Sequence, residues 1–260
     1  TDLSVELGTP AATNSAGVPL YKDSASGTLT AVASHSGIRT LTWGYGDTTL
    51  GTATVSPDGQ VDNPAVQVTA TDKNLITGAS VPLTLTGEYP AQDVWIHVTD
   101  NAGYEAETRR TISVDATAPE LTVTFDQTNQ SGFYNTDRHA TVTVRDNNFD
   151  PGSLTTTGLA GTWGTWVHSG DTWTNTITFS DNTDYDFTLS AADMVGHESN
   201  TFTSGRFTVD KIAPVVSVVW NTTDVRNGKY YNQVRTATIT VVEEHFDPSL
   251  NQLTGTGSIS

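Results

Sequence analysis

Residues 134–151 read YNTDRHATVTVRDNNFDP, and residues 231–248 read YNQVRTATITVVEEHFDP, 97 positions later. A second pair of matching stretches precedes them: VDATAPELTVTF at 114–125 and VDKIAPVVSVVW at 209–220, which lie 95 positions apart. Two matched pairs at nearly the same spacing indicate a repeated structural unit of about 95 residues. The sequence therefore predicts a tandem array of modules.

The linkers of this array are Asp115–Pro119 and Asp210–Pro214. Proline favours an extended preceding residue and is tolerated at the first position of an edge strand, so each linker marks where a new module begins. The linkers predict a first module at 1–115, a second at 116–210 and a third at 211–260. The third has only about half of the repeat length, and we expect it to be the truncated, N-terminal half of a module.

Short stretches of alternating apolar and polar residues recur through the chain. LTVTF at 121–125, ATVTV at 140–144 and TNTITF at 174–179 have the two-residue period of half-buried β-strands. Turn residues separate such stretches every 8–15 residues, and no helical period extends over ten residues. About seven short strands per module predict an all-β fold of tandem two-sheet sandwiches with Greek-key connections.

Charge and composition exclude several functions. The 260 residues contain 12 Lys and Arg against 29 Asp and Glu, a net charge of −17, and scattered basic residues do not form a surface for nucleic acid. The absence of Cys excludes disulfides, Cys-ligated zinc and a thiol nucleophile. No apolar run approaches the roughly 20 residues of a spanning helix, so this segment is not expected to insert in a membrane.

Three blocks of the sequence resemble bacterial immunoglobulin-like repeats of Gram-positive cell-surface and secreted proteins. They are YYNQVRTATITVVEEHFDPS at 230–249, WVHSGDTWTNTITFSDNTDYDFTLSAADMVGH at 166–197, and the VDATAP and VDKIAP linkers. The resemblance is strongest over 115–260. It implies tandem immunoglobulin-like sandwiches and an extracellular, cell-wall-associated or secreted location, without specifying a ligand.

Two turns, DNAG and DMVG, precede the linkers, with Asp100 and Gly103 in one and Asp193 and Gly196 in the other. We interpret them as hairpin turns, in which Asp accepts backbone N–H groups and Gly adopts a positive φ. The alternative is calcium, with no other cofactor or metal expected. Its predicted ligand sets at the module junctions are Asp100, Glu105 and Asp115, or Asp193, Glu198 and Asp210.

Exposed aromatic residues are the candidate ligand-binding residues. Trp163 lies in a Gly-rich stretch near Trp166 and Trp173, and a sugar could stack on its ring if it is exposed together with Trp43 or Tyr45. The alternative is that these rings are core residues. No G-x-S-x-G motif, catalytic triad order or paired metal-binding His is present, so we expect no enzyme activity in this segment.

These observations favour a stalk or spacer that holds other parts of a cell-surface protein away from the cell. Its expected partners are the neighbouring modules of the same chain. Like-charged modules repel one another, which favours solubility and an extended arrangement. The alternative function is an adhesin or a carbohydrate-binding module that binds a host glycan or glycoprotein and is attached to a glycan-active enzyme.

Overall fold

A computed structural model describes residues 1–71, 75–128, 131–250 and 252. Among these residues the regular structure consists of β-strands and two short 3-10 turns, Pro151–Ser153 and Pro248–Leu250, with no α-helix. The predicted all-β class is confirmed. The part of the third-module prediction that concerns residues 251 and 253–260 lies outside the described residues.

Among its described residues, the first module contains ten strands. They are β1 (Asp2–Leu7), β2 (Ala12–Thr13), β3 (Pro19–Lys22), β4 (Ser24–Val32), β5 (Ile38–Tyr45), β6 (Thr48–Thr54), β7 (Gln67–Ala70), β8 (Ile76–Thr86), β9 (Tyr89–Asp100) and β10 (Glu105–Asp115). One sheet has the order β1-β4-β8-β7, and the other has the order β2-β3-β10-β9-β5-β6. Neighbouring strands are antiparallel except β3 and β10, which pair in parallel.

The core of the first module lies between these two sheets. In β8, Val81, Leu83 and Leu85 are buried while the intervening Pro82 and Thr84 are exposed, as the period of two requires. Facing strands contribute further buried residues, and one continuous cluster extends from Tyr21 to Val114. Removal of this apolar surface from water is the main force that holds the two sheets together.

In the part of the second module that the structure describes there are eleven strands, most of them short. They are β11 (Glu120–Phe125), β12 (Phe133–Tyr134), β13 (Arg138–Arg145), β14 (Thr155–Thr157), β15 (Thr162–Trp163), β16 (Val167–Ser169), β17 (Thr172–Phe179), β18 (Thr183–Tyr185), β19 (Thr188–Ser190), β20 (Phe202–Thr203) and β21 (Phe207–Val209). The largest sheet has the order β11-β13-β17-β15, and β16 also pairs with β17. Two small sheets, β12-β21-β18 and β14-β19-β20, complete the module.

A second buried cluster, separate from the first, extends from Leu121 to Val209. It is rich in aromatic rings: Phe179 packs against Tyr185, Phe187 and Phe207 at centroid distances of 4.9, 5.4 and 5.1 Å. Arg138 is buried beside these rings, with its guanidinium carbon 3.8 Å from the Phe125 centroid. The two clusters lie on either side of the linker Asp115–Pro119, and the module boundaries themselves stay a prediction.

The strands in the described part of the third module form one hairpin, β22 (Val215–Trp220) and β23 (Ala237–Val242). The two strands pair antiparallel, from Val215 opposite Val242 to Trp220 opposite Ala237. Neither buried cluster includes a residue of this hairpin.

Candidate functional site at the module junctions

The turn from Asp193 to His197 lies where the second module meets the first. Asp193 Oδ1 accepts hydrogen bonds from the Val195 and His197 amides, both at 2.9 Å, and Gly196 has a φ of +85°. The DNAG turn of the first module has the same pattern, because Asp100 Oδ1 accepts from the Ala102 and Tyr104 amides and Gly103 has a φ of +88°. These are the contacts of the hairpin-turn interpretation.

His197 connects the two modules. Its Nδ1 lies 2.7 Å from Asp193 Oδ2 in its own turn, and its Nε2 lies 3.0 Å from Asp23 Oδ1 in the first module. Beside it, Lys22 Nζ donates to the Gly196 carbonyl oxygen at 2.8 Å. Burial of the imidazole lowers the pKa of His197, but its hydrogen bonds to Asp23 and Asp193 outweigh burial and leave the pKa above its usual value.

The linker residue Asp115 is buried at the same junction. Its Oδ2 accepts a hydrogen bond from Asn148 Nδ2 at 2.7 Å, so the end of the first module is tied to a loop of the second. Burial raises the pKa of Asp115 above its usual value, and the Asn148 hydrogen bond opposes that rise. Next to it, burial raises the pKa of Asp146 to about 6, and the charges of Asp115 and Asp193 add to the rise.

The second junction repeats this contact at equivalent positions. Asp210 is the repeat equivalent of Asp115, and His245 is the equivalent of Asn148 at the offset of 97. The His245 Nδ1 lies 3.0 Å from Asp210 Oδ2, and its ring lies 5.4 Å from the Phe133 ring. The backbone amide of Ile212 and the His245 side chain lower the pKa of Asp210. The linker prolines differ, because Pro119 is buried and Pro214 is exposed.

The predicted calcium ligand sets do not form. Glu105 and Asp115 stand at opposite ends of the eleven-residue strand β10, about 33 Å apart at 3.3 Å per residue, so Asp100, Glu105 and Asp115 cannot meet. Asp193 lies beside Asp115 of the preceding module instead of beside Asp210. A linker Asp and a turn Asp occupy opposite ends of one module, and they approach each other only across a junction.

Within the described ranges, two sets of side chains bring metal-ligating atoms within 4.8 Å of one another: Asp115, Asp193 and His197, and Asp210, Glu243 and His245. The carboxylate oxygens in the first set already accept hydrogen bonds from Asn148, from the amides of Thr117, Val195 and His197, and from the imidazole. Calcium prefers six to eight oxygen ligands, and a His in each set does not suit it. The geometry favours a hydrogen-bonded junction.

The predicted aromatic platform is not assembled. Trp43 and Tyr45 are buried in the core of the first module, with 6% and 5% of their surface exposed, so neither can offer a ring face to a sugar. They are two positions apart on β5, so both rings lie on the same face of the strand, and that face is the buried one. Trp163 is half-buried in the second module, where its ring lies 6.2 Å from that of Trp166 at an angle of 31°.

Sequence reasoning missed most of the residues that form the junction: Lys22, Asp23, Asp146, Asn148, His197 and His245. A signal was available for two of them, because Asn148 and His245 occupy the same position of the repeat just before the shared FDP stretch. Lys22 and Asp23 carry no such signal, since they belong to the divergent first module. The turn and linker residues Asp193, Gly196, Asp115 and Asp210 were singled out, although with the wrong partners.

No protein-family model and no curated protein matches this chain. Several solved structures are distantly similar to it, including the following two. Dimeric latent PorU from Porphyromonas gingivalis is 16% identical with a TM-score of 0.27, over 86% of this chain and 25% of that one. The Bacteroides ovatus mixed-linkage glucan utilization locus protein SGBP-B, in complex with a mixed-linkage heptasaccharide, is 13% identical with a TM-score of 0.21, over 88% of this chain and 58% of that one.

This chain thus spans a quarter of the first protein and less than two thirds of the second. Scores this low define neither a family nor a function. Among the described residues, no helix is both long enough and apolar enough to cross a membrane.

Proposed function

We propose that this chain is a non-catalytic stalk segment of a bacterial cell-surface or secreted protein, built from immunoglobulin-like modules joined end to end. The observation that carries the proposal is the repeated junction contact. Asp115 binds Asn148 of the next module, and Asp210 binds His245 at the equivalent place. A contact that recurs at each linker is what a spacer needs to hold successive modules in a fixed relation.

Strand order supports the immunoglobulin-like assignment. In the first module β1, β4, β8 and β7 take the places of strands A, B, E and D, and β10, β9 and β5 take those of G, F and C. Trp43 is a buried Trp on the strand that corresponds to C. In the second module Tyr185, the last residue of β18, donates its hydroxyl to the Asp181 carbonyl at 3.1 Å, as in a tyrosine corner.

The resemblance to Gram-positive repeats supports an extracellular, cell-wall-associated or secreted location and neighbouring immunoglobulin-like modules as partners. The net charge of −17 fits an extended, soluble array, because like-charged modules repel each other. A stalk needs neither a cofactor nor catalytic residues.

The stalk proposal is tested by measuring how freely the first two modules move relative to each other at their junction. Because the chain has no Cys, Thr84→Cys and Thr141→Cys place one spin label on each of the first two modules. We expect a narrow inter-label distance distribution that broadens at least twofold when Asp23→Ala and Asp115→Ala are combined. Asp58→Ala, an exposed Asp of the first module, is the matched control and leaves the distribution unchanged. A broad distribution of inter-label distances in the unmodified chain would contradict the stalk proposal.

The adhesin alternative is supported by one observation, the half-buried pair Trp163 and Trp166 on the surface of the second core. Aromatic rings at this distance can offer a stacking face to a pyranose ring. A glycan array is the test: a hit that Trp163→Ala abolishes, while Trp220→Ala retains it, would establish glycan binding. A folded chain with no hit would leave the stalk as the function of the segment.

A further inference from the structure

The hairpin of the third module copies two strands of the second module residue for residue. In the second module Glu120 lies opposite Arg145, and in the third Val215 lies opposite Val242, which are the equivalent positions at offsets of 95 and 97. All six pairs of β22 and β23 follow this correspondence. The second module therefore indicates what surrounds such a hairpin when the module is complete.

In the second module, β13 has a strand on each side. β17 pairs with its second edge, placing Ile177 opposite Ala140 and Trp173 opposite Val144. The strands that follow cover the inner face, with Phe187, Leu189, Phe207 and Val209 among the buried residues. As a result, Ala140, Val142 and Val144 of β13 have no exposed surface.

In the third module the equivalent surface is exposed. Ile239, the counterpart of Val142, is 47% exposed, and Val216, the counterpart of Leu121, is 61% exposed against 2%. Phe246 is 42% exposed where Phe149 is 3% exposed. In the part of the chain that the structure describes, β22 is the only strand that pairs with β23. This hairpin has an apolar inner face and an unpaired edge.

An arginine that lies against three aromatic rings in the second module indicates which contact is missing in the third. In the second module Arg138 lies 3.8, 4.2 and 4.4 Å from the ring centroids of Phe125, Tyr134 and Phe207. In the third module the equivalent Arg235 lies 4.0 Å from Trp220 and 4.2 Å from Tyr231. Two of the three rings are thus in place, and the third is the one that the C-terminal half of the module supplies.

We propose that the hairpin β22–β23 binds the C-terminal half of an immunoglobulin-like module, a polypeptide segment equivalent to residues 155–209. A β17-like strand would add antiparallel to the edge of β23, with its Thr side chains outward and its apolar side chains inward. The strands that follow would cover Ile239, Val216 and Phe246 and place an aromatic ring on Arg235. This inference does not rest on the stalk function, because it concerns the completion of one module.

The test uses the full 260-residue chain and a fluorescein-labelled synthetic segment of residues 155–210. Fluorescence anisotropy of the labelled segment measures binding. We expect saturable binding that Ile239→Asp weakens at least tenfold. Thr240→Asp places the same charge on the outer face of the same strand and is the matched control, with binding retained.

Both variants lie outside the two buried clusters, so thermal melting should show the first two modules intact in each. Absence of binding by the unmodified chain would overturn the proposal. Equal binding to the Ile239→Asp chain would also overturn it, because the segment would then be exchanging into the second module. Self-association that Ile239→Asp abolishes, without segment binding, would identify a second copy of the hairpin as the occupant instead.

Discussion

Asp146 is a buried carboxyl among other carboxyls, and its position determines how the first junction responds to pH. Burial raises its pKa to about 6 from an ordinary value of 3.8. A carboxyl whose pKa is raised by folding binds more protons in the folded state between those two values. The free energy of unfolding therefore falls as pH rises through this window.

We predict that Asp146→Asn stabilises the chain at pH 8 by about 1–2 kcal/mol, after allowance for solvent screening of the charge. The amide keeps an oxygen for the Asn148 amide and removes the buried charge. The advantage should vanish near pH 4, where Asp146 is protonated in the folded chain. Thermal melting of the variant and the unmodified chain at both pH values, in the presence of EDTA, measures this difference in stability. An equal gain from Asp186→Asn, an exposed control, would assign the effect to net charge.

Element by element, the sequence predicts the strands well and their environment less well. The repeat offsets imply the register of β22 and β23, because β11 and β13 carry the same alternation. The two-residue period does not reveal which alternating residues of β5 face inward, and Trp43 and Tyr45 were misplaced for that reason. The partner of Asp115 depends on which ends of two modules meet, and a pattern within one module contains no such information.

Tyr185, the last residue of β18, holds the corner that precedes the strand. Its hydroxyl donates to the Asp181 carbonyl at 3.1 Å and accepts from the Asp181 amide at 3.0 Å. We predict that Tyr185→Phe lowers the free energy of unfolding of the second module by about 1–2 kcal/mol, because two backbone groups lose their partner. Urea unfolding measures this change. Tyr104→Phe, which alters an exposed ring, is the control and should leave the free energy of unfolding unchanged. A fall of less than about 0.3 kcal/mol in the free energy of unfolding, which is the scatter among such measurements, would contradict this role of Tyr185.

At the scale of the whole molecule, the residues that the structure describes form two buried cores and one exposed hairpin. The cores end at Val114 and Val209, so residues beyond 210 contribute to neither. The contacts between the second module and the segment that follows it are peripheral, such as those of His245 with Asp210 and Phe133, which lie outside the second core. The modules should therefore unfold as separate cooperative units.

We predict that a chain ending at Asp210 melts within about 2 °C of the full chain, since deletion of surface contacts changes stability little. Differential scanning calorimetry of the two chains measures this. A fall of ten degrees or more would mean that the third segment supports the second core.

The junctions also predict the response to metal removal. Because hydrogen bonds already occupy the carboxylates around His197, we expect EDTA, or calcium at 1 mM, to shift the melting temperature by no more than about 1 °C. Melting curves in both conditions test this. A rise of several degrees with calcium, lost on Asp193→Asn, would show that the junction binds the ion.

The parallel pairing of a module's last strand with one of its early strands has a consequence for a chain under tension. Pulling on the two ends draws β3 and β10 in opposite directions along their length, so their hydrogen bonds are loaded together, in shear. Three residue pairs join β3 to β10, and two join β12 to β21. In an optical trap, the second module should therefore rupture at the lower force and lengthen the chain while the first stays folded.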